Sequence, residues 1–286
     1  MEFWITQTFN GLSYAALLFL LGGGLTLIFG IMKIVNITHG SFYLVGGYIG
    51  LTVVRLTGNF YLALISGAVV VAVLGLVMER IFLRNLAGKD LRQMLITTGI
   101  ALFLQDLCLL IWGGDPQNLN VPQYLAKSFK LGDFYFARFR VFMIGSAAVL
   151  FIILWLFQEK TRIGAMVRAS VDNPEMAGGL GIKVPLVTAG VFSLGAFLAG
   201  FGGVIGCSFM GIYPGLDFEL LPFAFVVVIV GGMGNLTGAL LGAIIVGMID
   251  NFGKALFPEV AYFTLFAPMA LVLAIKPTGL MGKSSK

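Results

Sequence analysis

Two polar stretches of the chain have residue types suited to binding a small polar molecule, and each adjoins long apolar segments. The first is Asn36-Ile37-Thr38-His39-Gly40, and the second is Gly231-Gly232-Met233-Gly234-Asn235-Leu236-Thr237-Gly238. Where a helix breaks inside a membrane bundle, its free backbone N–H groups must face protein or a water-filled cavity. Such N–H groups can bind the carboxylate of a zwitterion. The candidate residues of a transport pathway are therefore Asn36, Thr38, His39, Gly40, Asn235 and Thr237.

Side chains for covalent or metal chemistry are scarce. His39 is the chain's histidine, and the two cysteines, Cys108 and Cys207, fall inside apolar runs. This pattern offers no nucleophile with a base and no metal-ligand cluster, so neither a catalytic nor a metal site is predicted. Gly282-Lys283-Ser284 resembles the end of a phosphate-binding loop, but the place of its first glycine is taken by Pro277. We expect no enzyme activity, no ATPase site and no cofactor in this chain.

Asp106, next to Gln105, is an acidic residue within an apolar run. Ionised side chains inside a membrane are costly and usually face the interior of the bundle. An interhelical hydrogen bond is the expected role. A proton relay would need a second acid or base in mid-span, and Asp250 lies near a span end.

The elements that position these residues are predicted to be membrane helices. Of the 286 residues, 59% are hydrophobic and 11% are charged, whereas soluble proteins carry about 25% charged residues. The apolar runs are too long and continuous for transmembrane strands. They are Gly11–Ile31, Ser41–Leu56, Phe60–Val77, Met94–Trp112, Val141–Phe157, Pro185–Phe209, Leu220–Val230, Thr237–Ile249 and Tyr262–Ile275. The predicted fold class is all-α: a polytopic bundle of about eight to nine transmembrane segments with discontinuous helices.

The surroundings of the two polar stretches also indicate an internal, inverted repeat. Each stretch follows an apolar run and precedes a glycine-spaced helix, with Gly46 and Gly50 in one half and Gly242 and Gly247 in the other. Glycine-interrupted segments at corresponding positions of two halves point to a transport pathway. Chance agreement in a glycine-rich chain is the alternative interpretation.

Basic residues are unevenly divided between the two sets of connecting loops. One set holds Lys33, Arg80, Arg84, Lys89, Arg92, Lys160, Arg162, Arg168, Lys183, Lys276, Lys283 and Lys286; the other holds Arg55, Lys127, Lys130, Arg138, Arg140 and Lys254. The positive-inside rule places the richer set in the cytoplasm. We therefore expect a single transmembrane domain over residues 1–286, with an outer (periplasmic) loop at 113–140, a cytoplasmic loop at 158–183 and a cytoplasmic C-terminus.

The cytoplasmic loop contains the pattern of a short helix outside the membrane. Asn173 or Asp172 can cap its N-terminus, Pro174 suits its first position, and Glu175 suits the positive end of its dipole. Gly181 can end it by adopting a positive φ. A docking helix and an ordinary surface helix both fit this chemistry.

The same loop carries a resemblance to a known family. Glu175-Met176-Ala177, three residues and Gly181 resemble the signature of bacterial ABC importer permeases, with methionine in the middle place. The chain resembles more narrowly the branched-chain amino acid permeases of LivH type, over essentially its whole length. The matching segments are Tyr14-Ala15, Gly30-Ile31-Met32-Lys33-Ile34-Val35-Asn36-Ile37-Thr38-His39-Gly40, Arg168-Ala169, Asp172-Asn173-Pro174, Gly181-Ile182 and Gly231-Gly232-Met233-Gly234-Asn235.

The resemblance implies a permease of the bacterial inner membrane that imports leucine, isoleucine or valine. Its implied partners are a second homologous permease, two cytoplasmic ATPase subunits that bind ATP and Mg, and a periplasmic substrate-binding protein. Membrane lipid surrounds it, and nucleic acid has no role. The ATPase-coupling residues would be Arg168, Asp172, Asn173, Pro174, Glu175, Ala177 and Gly181.

Other transport functions remain as alternatives. Relatives within the family carry urea, short amides or other amino acids. An ion-coupled secondary transporter would need carboxylates in its core, for which Asp106 is thin support. An aquaporin-like channel would show paired Asn-Pro-Ala motifs, whereas Asn173-Pro174 lies in the cytoplasmic loop.

Overall fold

The computed structural model describes residues 2–33, 35–86, 88–131 and 134–282 and is almost entirely helical. The helices are Glu2–Met32 (α1), Thr38–Thr57 (α2), Phe60–Met78 (α3), Asp90–Trp112 (α4), Gln123–Ala126 (α5), Arg138–Lys160 (α6), Arg162–Asp172 (α7), Pro174–Gly179 (α8), Val184–Phe209 (α9), Leu216–Gly231 (α10), Leu236–Leu256 (α11) and Ala261–Ile275 (α12). A π-helical turn, Glu79–Leu83, and a 3-10 turn, Arg84–Leu86, extend α3, and a second 3-10 turn, Pro258–Val260, precedes α12. Two predicted features, Ile34 of the first motif and the tail lysines Lys283 and Lys286, lie outside the described residues.

The all-α membrane fold predicted from the sequence is confirmed. Each of the nine apolar runs lies within one helix. In the described part of the chain, six helices are long and apolar enough to cross a membrane: α1, α3 with its extension to Leu86, α4, α6, α9 and α11. The helices α10 and α12 have 16 and 15 residues, fewer than the about 20 of a full crossing. The count of eight to nine segments stays a prediction.

The centre of the bundle is formed by α9, which packs against α1, α2 and α3, while α11 packs along α1. Glycines set the spacing of these helices. A Cβ atom on Gly46 of α2 would lie 2.5 Å from the Cα of Gly200 in α9, so the two backbones touch. Small residues permit such close packing in membranes. Fully buried aromatic side chains, among them Phe42 and Phe192, fill the space beside these contacts.

Two helices stand at the periphery of the bundle. Within the chain, 22% of the α4 span and 17% of the α6 span are buried, against 72% for α1. The main contact of α4 is with α2. Most of the surface of α4 and α6 is therefore available to lipid or to another protein.

The predicted outer loop is partly structured. It contains α5 and an antiparallel hairpin of the strands Ser128–Leu131 (β1) and Phe134–Ala137 (β2). Gln117 and Ile212 exchange two backbone hydrogen bonds of 2.8 Å, which fasten this loop to the connection between α9 and α10. Arg138 and Arg140, which were expected in the loop, lie in the first turn of α6.

Candidate transport pathway and coupling segment

The first polar stretch leads the chain back into the bundle. At the end of α1, Lys33 has a φ of +55° and donates its N–H to the carbonyl of Phe29. The His39 Nε2 then donates a hydrogen bond of 2.9 Å to the carbonyl of Leu21. Leu21 precedes Met32 by eleven residues, or about 16 Å of helix. The helix α2 therefore begins beside the middle of α1. The first polar stretch thus runs from the end of α1 at Lys33 back into the bundle.

The first turn of α2 is polar and enclosed. The Thr38 hydroxyl donates to the carbonyl of Thr97 in α4 at 2.7 Å. Asn36, Thr38, His39 and Gly40 are all buried. Both polar atoms of the Asn36 side chain and the Nδ1 of His39 have no hydrogen-bond partner among the described residues. Buried polar atoms without partners are costly, so this turn holds unsatisfied capacity for hydrogen bonds.

Asp217 lies against this turn, although sequence reasoning missed it. Its carboxylate Oδ2 accepts a hydrogen bond of 2.7 Å from the Ser41 hydroxyl, and its backbone oxygen would lie 2.5 Å from a Cβ on Gly40. The apolar run in this region begins only at Leu220, yet α10 already begins at Leu216. A signal existed: Gly215, with a φ of +104°, precedes acidic residues in a first helical turn, as is typical of helix starts.

Outside the helices, the α9–α10 connection is tied to α10 by Tyr213. Its hydroxyl donates a hydrogen bond of 2.8 Å to Glu219 Oε2. Since the phenol loses this bond when it ionises, the bond raises the pKa of Tyr213.

The second polar stretch is a turn closed by a distant segment of the chain. The Asn235 Oδ1 accepts from the N–H of Gly238 at 2.9 Å and caps α11, while Nδ2 donates to the carbonyl of Met281 at 3.1 Å. The N–H groups of Leu280 and Met281 donate to the last carbonyls of α10 at 2.9 and 3.0 Å. Segment 276–282 thus provides hydrogen-bond donors for the backbone carbonyls at the end of α10. Thr237 is half-buried at the start of α11.

The structure does not bring the two stretches to one level of the bundle. A Cβ on Gly30 would lie 3.1 Å from the Cα of Gly234, so the second stretch packs against the last turn of α1. Gly30 follows Leu21, the residue beside His39, by nine residues, or about 13 Å. Asn235 and His39 are thus separated along α1, and their common pathway role stays a prediction.

Asp106 does not fulfil its sequence-based expectation. It is exposed on α4 and makes no hydrogen bond or ion pair with the described residues. The predicted interhelical hydrogen bond is therefore wrong within this chain. A helix that is apolar on all sides gives no periodicity from which the direction of one polar residue could be read.

The cytoplasmic loop holds two helices where one was expected. The additional helix, α7, is capped by Thr161, whose Oγ1 accepts from the N–H of Gly164 at 3.0 Å. Threonine is a common N-cap residue, so the sequence did carry this signal. The predicted helix is α8, which ends at Gly179 and is followed by a turn.

The predicted caps of α8 are present. The Asn173 Oδ1 accepts from the N–H of Met176 at 3.0 Å, and Pro174 occupies the first helical position. Gly181 has a φ of +85°. The N–H of Ile182 donates to the carbonyl of Ala177 at 3.1 Å, which completes a Schellman motif.

A family model described as "Branched-chain amino acid transport system / permease component" matches residues 7–275. The chain belongs to this family. It is therefore a permease component and a multi-pass membrane protein, as the sequence predicts, and ATP hydrolysis is the task of partner subunits. Permeases of ABC importers work with ATPase and substrate-binding partners.

Relatives match this permease over nearly its full length. The chain is 28% identical to the high-affinity branched-chain amino acid transport system permease protein BraD of Pseudomonas aeruginosa, over 98% of this chain and 96% of BraD. Identity and coverage are the same for the corresponding protein LivH of Escherichia coli K12. A probable branched-chain amino acid transport permease protein LivH of Methanocaldococcus jannaschii is 30% identical, over 94% of this chain and 90% of the relative.

The predicted coupling residues of the permease and their neighbours differ in how deeply they are buried. Ala177 is buried, whereas the neighbouring Met176 and Leu180 are 66% and 78% exposed. These two apolar side chains are available to a partner, and the sequence analysis did not single them out. Asp172 ends α7 and Glu175 lies exposed in the first turn of α8.

Arg168 connects α7 to the end of α6. Its guanidinium donates to the carbonyl of Gln158 and lies 3.9 Å from the Glu159 carboxylate. Behind α7, a small cavity is lined by Val167 and Val171 and, on the other side, by Gly30 and Gly234. The coupling segment is thus adjacent to the contact between α1 and the second polar stretch.

Proposed function

We propose that this permease forms half of the membrane pathway of an ABC importer for leucine, isoleucine and valine. The observation that carries the proposal is the relationship to permease proteins named for branched-chain amino acids, which extends over nearly the whole chain. The fold supports the proposal, because the break between α1 and α2 places the start of α2 inside the bundle. The whole chain, residues 1–286, acts as one transmembrane domain in the cell's inner membrane.

The importer contains this chain, a second homologous permease, two ATPase subunits and a substrate-binding protein. The C-terminus, the loop at 158–183 and the ATPases lie in the cytoplasm. The loop at 113–140 faces the substrate-binding protein. ATP and Mg are bound by the ATPases.

Coupling occurs through α7 and α8. Met176 and Leu180 of α8 insert into a groove of an ATPase, and the caps at Asn173 and Gly181 make this short helix rigid. Its movement passes to α6 through the bond between Arg168 and Gln158. A two-state element of this kind is what nucleotide binding can bias.

Substrate passes the first turn of α2 when the bundle opens. The free N–H groups at the start of a helix favour a carboxylate. Asn36 and His39 then gain partners for polar atoms that have none among the described residues. Thr38 and Gly40 shape the same turn, while Asn235 and Thr237 line the pathway near the end of α1.

Reconstitution of the complete importer in lipid vesicles tests the proposal. ATP-dependent uptake of labelled leucine that unlabelled isoleucine and valine suppress is the expected result. Suppression by urea or short amides in place of these amino acids would overturn the substrate assignment. Uptake by the permease alone, driven by an ion gradient, would overturn the ABC importer.

The histidine variant tests the pathway. We expect His39→Ala to lower leucine uptake while the complex still assembles, because the N–H groups and polar side chains of this turn act together. Unchanged uptake would reduce His39 to a packing residue that supports α1.

A further inference from the structure

Away from the helix ends, one acidic residue of the described membrane helices is exposed on the surface of the chain. Three others, Glu79, Asp217 and Asp250, are buried. Asp250 pairs with Lys254 at 2.6 Å, and Asp217 accepts its bond from α2. Asp106 is exposed and has no hydrogen bond or ion pair with the described residues. Its carboxylate is therefore available to a group from outside this chain.

Asp106 lies on the face of α4 that points away from the bundle. The opposite face contacts α2, since the Thr38 hydroxyl donates to the carbonyl of Thr97 at 2.7 Å and the Ser41 Oγ lies 3.4 Å from the carbonyl oxygen of Ala101. Cys108 is buried on this side. At 100° per residue, Asp106 points about 140° away from Ala101 and about 160° away from Cys108. The same outer face presents Gly99, where a Cβ would meet nothing within 4 Å.

The depth of Asp106 in the membrane argues against lipid as its environment. It lies six residues before the end of α4 at Trp112, or about 9 Å along the helix. The 23 residues of α4 span about 34 Å, slightly more than the about 30 Å of hydrocarbon. A carboxylate at this depth is costly against lipid and is typical of a water-filled pathway or a protein interface.

The surroundings of Asp106 fit an ammonium group that is joined to a hydrocarbon chain. Phe103 and Leu110, about one turn to either side, are 65% and 82% exposed. An anionic group between apolar side chains is complementary to an ammonium group next to an aliphatic chain. An amino acid with a hydrocarbon side chain carries both groups.

We propose that Asp106 lines a water-filled route along the outer face of α4 and binds the ammonium group of the amino acid before the bundle opens and the amino acid passes the first turn of α2. Phe103 and Leu110 contact the hydrocarbon side chain, and the second permease subunit forms the opposite wall. This inference rests on the proposed function, because an aliphatic amino acid is the cargo.

Thiol labelling tests whether Asp106 meets water. The natural cysteines, Cys108 and Cys207, are buried, so the wild-type complex gives the background. The variant Asp106→Cys, in the complete importer, is treated with charged methanethiosulfonate ethylsulfonate, which reacts with thiols in water. The matched control is Ile65→Cys, because Ile65 is 60% exposed and has a similar depth. It lies five residues after Phe60, where α3 begins on the same side of the bundle as Trp112.

We expect Asp106→Cys to be labelled at least tenfold faster than Ile65→Cys, and substrate-loaded binding protein with ATP to slow the labelling. A rate no faster than that of the control would overturn the proposal, because it would place Asp106 against lipid or in a dry interface.

Uptake kinetics test the ammonium contact. Asp106→Asn keeps the size of the side chain and removes its charge, so uptake at limiting leucine should fall about tenfold, as expected for one lost charge-assisted hydrogen bond. Asp106→Glu should restore a large part of it. Uptake by Asp106→Asn equal to that of the wild type would overturn the contact. Absence of leucine uptake by the wild-type importer would instead overturn the proposed function, and the labelling ratio would still decide whether α4 meets water.

Discussion

The hydroxyl of Ser41 donates a 2.7 Å hydrogen bond to the carboxylate of Asp217, and this bond joins the first turns of α2 and α10 inside the bundle. Both helices begin at this contact, so the positive ends of two helix dipoles lie near one carboxylate. The bond and the two dipoles stabilise the Asp217 carboxylate, whose other oxygen, Oδ1, has no hydrogen-bond partner among the described residues.

Removal of the Ser41 hydroxyl should destabilise the permease. In Ser41→Ala the buried carboxylate of Asp217 loses a donor, at an expected cost of about 1–3 kcal/mol. The midpoint of thermal unfolding in detergent measures this loss. Ser66→Ala is the control, because the Ser66 hydroxyl bonds to Ala63 in its own helix, at 3.1 Å. Equal midpoints for the two variants would contradict a stabilising role for the bond.

Two glycines in membrane helices should respond oppositely to alanine. A Cβ on Gly46 would lie 2.5 Å from the Cα of Gly200, whereas a Cβ on Gly99 meets nothing within 4 Å. We expect Gly46→Ala to destabilise the isolated permease by about 1–3 kcal/mol through overpacking. Gly99→Ala should stabilise it by about 0.5–1 kcal/mol through helix propensity. Unfolding midpoints check both signs, and a Gly46→Ala midpoint at or above that of the wild type would refute the close contact of α2 and α9.

Loss of the exposed apolar side chains of α8 should weaken ATPase binding and leave the fold intact. The double variant Met176→Ser, Leu180→Ser changes side chains that make little contact within the chain. The amount of ATPase that co-purifies with the permease should fall several-fold, with an unchanged unfolding midpoint. Leu56→Ser, which alters an 80% exposed residue at the far end of α2, should retain the ATPase. Normal co-purification of the double variant would remove α8 from the coupling interface.

Asn235 should contribute more to the stability of the permease than a helix cap alone. Asn235→Ala removes both the cap of α11 and the bond to the Met281 carbonyl, whereas Asn59→Ala removes only the comparable cap of α3. A cap contributes about 0.5–2 kcal/mol, so Asn235→Ala should give the larger fall in stability. Asn235→Asp, which keeps the acceptor, should fall between Asn235→Ala and the wild type. Equal effects of the two alanine variants would show that the bond to segment 276–282 adds no stability.

The sequence predicts the individual helices of this fold better than it predicts which residues of different helices are in contact. Apolar runs locate the membrane helices, and local chemistry at Asn173 and Gly181 predicts the ends of α8, because caps depend only on nearby residues. The contact between Ser41 and Asp217 joins positions that are 176 residues apart, and no local rule carries that information. The same limit applies to Asp106, whose direction depends on which side of α4 is covered by α2.

The length of α1 determines how far this helix extends beyond the hydrocarbon of the membrane. Its 31 residues extend about 46 Å, against a hydrocarbon thickness of about 30 Å. Its first residues are exposed, and Phe9 packs at 4.8 Å against Phe136 of the hairpin. With Met32 at one edge of the hydrocarbon, an α1 perpendicular to the membrane places Phe9 about 4 Å beyond the other edge. The hairpin, which Phe9 contacts through Phe136, then lies among the lipid headgroups, where its aromatic side chains can anchor it.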